Sequence, residues 1–192
     1  MTSKPQHLPA TRGGVAIAQS HDHWADVAGP GRLVTGSAIY DLAPIGAIIR
    51  FRDGTPRPPA DRPDDLKVWA LFNGIGRLAK KDPSPYLSPL PHPVSITLRT
   101  AEFGATPAAG VTISLAESTH PGLSFEIIEL PPMGSVRILH RLADNVELLH
   151  LAADHHAAVR WLAQNPVTAA IFDPVNADEI AAAAVEGRAL TR

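Results

Sequence analysis

Nine histidines and no cysteine set the limits of the chemistry this chain of 192 residues can carry. Without cysteine there is no thiolate nucleophile, no disulfide framework and no thiolate zinc site. The histidine spacing that points furthest is His21-Asp22-His23-Trp24, which follows the alternating pair Val15 and Ile17. A strand running through this segment sets His21 and His23 on one face, because strand side chains repeat every two residues. Two neutral imidazoles aimed the same way suit a divalent transition metal such as zinc. Asp22 then points to the other side, and Asp26 is the nearest carboxylate for ligation or for orienting a ring. A catalytic zinc also needs a third protein ligand and an open position. His92, His120, His140 and His150 are candidates that sequence alone does not separate. This is the metal-dependent hydrolase reading, with His21, His23 and Asp26 as its site. Against it stands a polar loop with Trp24 packed on the core.

Two further histidine pairs are read as structural. If Ala143-Asp144-Asn145 is a three-residue hairpin loop, Arg141 pairs with Glu147 and Ile138 with His150. His140 and His150 are then diagonal neighbours on one face, whereas a two-residue loop shifts the register and separates them. Asp154-His155-His156 reads as a helix cap. Adjacent helical residues point about 100° apart, so His155 turns to the Ala158/Leu162 stripe and His156 to Arg160. Gly31 to Ser37 has the glycine spacing of a phosphate loop but lacks its lysine, and reads as a turn entering a strand.

The basic residues offer a second kind of chemistry. Arg50 and Arg52 lie two apart and project from the same face of a strand. Guanidinium groups suit carboxylate and phosphate forks. With Arg57, Lys80 and Lys81 they form the expected partner-binding set, flanked by proline-rich loops at 55–63 and 83–93. Five aspartates between positions 53 and 82, and a net charge of −2, oppose a pure nucleic-acid footprint. The leading function is therefore a non-enzymatic bacterial binding or accessory protein with no resident cofactor. Its partner is a protein or a second copy, with nucleic acid as the other class the arginines admit. A structural subunit acting by oligomerisation is the third reading.

Positioning these residues requires a fold, and composition allows one. At 45% hydrophobic and 19% charged the chain can bury a core. No run approaches a membrane span, and the first residues show no secretory signal, so a cytoplasmic location is expected. Residues 1–13 read as a flexible tail and 14–192 as one domain, with a split near residue 90 as the alternative. Strands are expected at Gly14–Gln19, Leu33–Tyr40 and Gly46–Phe51. A helix is expected from Asp64 toward Lys81, burying Val68, Leu71, Phe72 and Ile75 at helical spacing. An antiparallel meander follows over 92–151, then a helix at His155–Gln164 and a strand at Val167–Phe172. A capped, Ala-rich helix starts after Asn176. The class is α+β, mainly antiparallel sheet with two to three helices on one face or end.

Overall fold

The computed structural model of the chain describes residues 33–83, 93–101, 110–116, 122–142 and 145–189. The tail expected at 1–13, the strand at Gly14–Gln19 and most of the second proline cluster lie outside them. The class is as expected. Eight antiparallel strands form one sheet: β1 (Ile48–Arg52), β2 (Gly74–Asp82), β3 (Ser95–Arg99), β4 (Gly110–Ser114), β5 (Ser124–Glu129), β6 (Val136–Leu142), β7 (Asn145–Ala152) and β8 (Ala170–Pro174). Among the described residues four helices accompany it, α1 (Gly36–Leu42), α2 (Pro63–Ala70), α3 (His155–Gln164) and α4 (Ala177–Ala189), against the two to three expected.

The sheet branches at β2. Along one edge of β2 runs β3, followed by β4. The other edge is divided. Gly74 to Arg77 pair with β1, which carries β5 beyond it, while Lys80 pairs with Glu147 of β7, followed by β6 and β8. The β3–β4 and β6–β7 hairpins keep two links of the expected meander. β5 leaves it, returning to pair with β1.

Where β1 and β7 diverge, backbone carbonyls lose their ladder partners, and buried carbonyls need replacements. Arginines supply them. Arg77 donates to Gly46 O at 2.9 Å, Arg137 Nε to Ile45 O at 2.8 Å, and Arg99 to Leu149 O at 2.7 Å and also to Leu148 O. The guanidinium suits this task because it carries five donors in a fixed plane.

Three apolar clusters hold the layers together. The largest lies under α1 and joins Ile39 to Ile49, Phe51, Leu78, Ile96, Leu98 and Phe125. A second fixes α3 to β6 and β7 through Ala158, Val136, Ile138 and Ala152. The third, Ala79, Leu139 and Leu148, lies near the branch. α4 is tied on by charge. Arg137, only 4% exposed, donates from Nη1 to Asp173 of β8 at 2.6 Å and from Nη2 to Glu179 of α4.

Several local expectations are corrected. Leu33–Tyr40 is not a strand. Val34 makes a single bridge to Phe125, and Thr35 then caps α1, its Oγ accepting from Ala38 N. The phosphate-loop spacing at Gly31–Ser37 therefore runs into a short helix instead of a strand. The helix expected toward Lys81 stops at Ala70, and Gly74–Asp82 is the central strand β2. Its supposed buried stripe is divided: Val68 and Leu71 are 60% and 52% exposed, while Ile75 is buried on β2. The last strand starts at Ala170, three residues late. The β6–β7 hairpin has the two-residue register at its turn, Leu142 opposite Asn145 and His140 opposite Glu147. A bulge at Leu149 then restores the Ile138–His150 pair. His140 and His150 thus share the α3 face, where the His150 ring stacks on Trp161 at 4.9 Å.

Candidate partner-binding cleft

The site grows from the turn after β1. Asp53 leaves the strand, Gly54 takes φ +81°, and the chain runs through the first proline cluster to α2. Proline at the first helical position and Asp64 and Asp65 in the first turn favour that helix. Its length of eight residues is too short to be stable alone, and none of its residues is buried. A knot of polar contacts holds it instead. Asp53 Oδ1 accepts from Thr55 N at 2.9 Å, Thr55 Oγ at 2.6 Å and Asn73 Nδ2 at 2.9 Å. Asn73 Oδ1 accepts in return from Asp53 N at 3.3 Å. Trp69 Nε1 donates to Thr55 O at 3.1 Å, and Asn73 Nδ2 reaches Trp69 O at 3.1 Å. Burial alone would raise the Asp53 carboxyl, but the donors from Thr55 and Asn73 outweigh it and hold it below its ordinary value.

Between this knot and β1 lies a cleft of about 300 Å³. Arg50 and Arg52 line it together with Thr55, Trp69, Asn73 and Gly74. The two arginines do share a face, as their spacing requires, on the side of the sheet opposite α1. They are not equivalent. Arg50 donates to Glu126 Oε2 of β5 at 2.8 Å, and its side chain is 18% exposed. Arg52 also lines the cleft and is exposed to solvent.

The other expected residues lie elsewhere. Arg57 is exposed in the proline-rich loop. Lys80 and Lys81 stand at the far end of β2, about 20 Å along the strand from Gly74 at its rise per residue. Lys80 is paired with Asp82, and Lys81 donates to Tyr40 O with its ammonium 5.4 Å from the Tyr40 ring centroid. Burial lowers the Lys81 pKa, against the raising influence of Asp41 and Glu179. The five basic residues therefore do not make one patch. Trp69, Thr55 and Asn73 were missed by sequence reasoning. The Asp53-Gly54-Thr55 turn was the available signal, since Asp side chains bond backbone two residues on.

His21, His23 and Asp26 lie outside the described residues. Among the described residues no three His, Asp or Glu side chains converge as a metal-binding group. No described helix is long and apolar enough to cross a membrane.

No curated protein and no solved structure matches the chain significantly. A protein-family model does match residues 23–179, which include the whole cleft and the branched sheet. The chain belongs to that family, described as "Uncharacterised conserved protein UCP036055".

Proposed function

We propose that this chain is a binding protein, and that its partner is another protein docking on α2 and the cleft beside it. The observation that supports this most is the position of α2. It is fixed by the Asp53–Thr55–Trp69–Asn73 knot, yet it buries none of its own residues and leaves Val68 and Leu71 in solvent. An ordered helix with adjacent exposed apolar side chains fits a surface that a partner completes. The exposed Arg52 then selects a carboxylate on that partner. Asp64 and Asp65, both exposed on the first turn of α2, oppose a nucleic-acid backbone at the same place.

The test places a photo-crosslinking amino acid at Val68 in producing cells. The expected product is one cross-linked protein, whose binding to the purified chain weakens at least tenfold with Val68→Asp/Leu71→Asp and also with Arg52→Glu. A cross-link only to other copies of this chain would replace the reading with self-association. Salt-sensitive binding of a labelled single-stranded oligonucleotide, abolished by Arg52→Glu, would replace it with nucleic-acid binding.

A further inference from the structure

Among the described residues the branched sheet has three outer strands, β4, β5 and β8, and they are not protected alike. Unpaired strand edges invite pairing, and proteins blunt them with charge, proline, bulges or cover. β5 is capped: Val34 and Phe125 exchange backbone bonds at 2.7 and 3.0 Å across its outer edge, and the strand ends in the exposed Glu129. β8 carries Asp173 and Pro174, and Ala169 just before it has φ 59°. Among the described residues β4 has none of these devices. Its sequence, Gly-Val-Thr-Ile-Ser, has no charge and no proline, and its three central residues are β-branched. Among the described residues nothing pairs with its outer edge, and Thr112 is exposed at its centre.

We infer that β4 is a self-pairing edge, through which two copies of this chain join antiparallel to make one continuous sheet. The occupant is a second copy because the strand is complementary to itself. A neutral edge meets its own image without like-charge repulsion. Side-chain parity fixes the register. Residues directly opposite in an antiparallel pair share a face, so Val111 and Ile113, on the face that packs with Ile96 and Leu98, must meet odd-numbered residues of the second copy. The register with the greatest overlap puts the two-fold axis at Thr112. Val111 then faces Ile113 of the other copy, a favourable β-branched pair, and Thr112 faces itself. The Thr97–Thr112 hydroxyl contact of 3.0 Å extends across the axis as a row of four threonines. This surface is separate from the cleft at Arg52, so it stands or falls independently of the proposed partner.

The experiment uses the full chain and the charge at position 112. Sedimentation of the wild type should show a concentration-dependent dimer. Thr112→Lys and Thr112→Glu each place like charges at the axis and should weaken the dimer roughly fivefold or more. Mixing the two variants should restore association, because the axis then joins Lys to Glu. A misfolded variant would not be rescued in this way. Monomeric wild type throughout the concentration series would overturn the inference. So would a dimer indifferent to both substitutions, or variants whose mixture stays monomeric.

Discussion

Arg50 Nη1 and Glu126 Oε2 lie 2.8 Å apart across the β1–β5 ladder, at directly opposed positions, and the carboxylate is almost wholly shielded from water. An ionised carboxylate so placed needs its counter-charge. Arg50→Ala should therefore cost about 3 kcal/mol in urea unfolding, because it leaves Glu126 buried and uncompensated. Replacing both, as Arg50→Met/Glu126→Leu, should recover most of that loss, since an apolar pair of similar volume carries no desolvation penalty. A double substitution as damaging as the sum of the singles would show that the two residues do not act as a pair.

The carbonyls at the sheet branch give a second expectation. Arg99 serves two of them, Leu148 O and Leu149 O, beside the bulge in β7. Lysine keeps the charge but loses the planar fork. Arg99→Lys should destabilise by about 1–2 kcal/mol, the order of a buried carbonyl left without its donor. It should also speed amide exchange in β7 around Leu149 more than in β4. Uniform exchange rates along both strands would refute this role.

Sequence reasoning found the elements whose signals are local. Asp154 caps α3 by accepting from Ala157 N at 2.7 Å, and Asn176 caps α4 by accepting from Glu179 N at 2.9 Å. The strands β3 and β4 alternate cleanly and pair as a hairpin. The Glu179 carboxylate, three residues after the cap, is held by Arg137. What failed was decided by distant parts of the chain. Gly74 and Gly76 lie within the span expected as helix, yet they are β2 residues packed against Phe51 and Leu98. The bulge at Ala79 removes the alternation that would have marked β2. Val68 and Leu71 had helical spacing, but that spacing does not say whether a face is covered. The pairing of Arg50 with Glu126 links residues 76 positions apart and left no local trace.

Gly76 illustrates how the central strand depends on absent side chains. A Cβ there would lie 2.7 Å from Leu98 Cβ and 3.3 Å from Arg99 O. Neither neighbour is a flexible tip, so the β2–β3 pair must shift. Gly76→Ala should cost about 1–3 kcal/mol, as overpacking does. Gly54→Ala, by contrast, meets no neighbour within 4 Å and is strained only by its φ of +81°. A Gly76→Ala protein as stable as wild type in urea would mean that β2 and β3 can separate without cost.

Acid should loosen the cleft before it unfolds the sheet, and Asp53 supplies the reason. Three donors from Thr55 and Asn73 converge on its Oδ1, and they hold its pKa below the ordinary value of 3.8. A carboxylate whose folded pKa is depressed contributes stability above its unfolded pKa and loses it as pH falls through the folded value. The α2 attachment should thus be intact at neutral pH and weaken progressively below about pH 4. Its indicators are the Thr55 amide and the Trp69 indole Nε1–H, which donates to Thr55 O. Both resonances should shift together in that range, while amides of β6 and β7 stay unchanged. Asp53→Asn removes the titrating group, so the Thr55 and Trp69 signals of that variant should no longer follow pH there. If they still titrate as in wild type, another group governs the cleft. If β6 and β7 respond at the same pH, the attachment of α2 is not an independent unit.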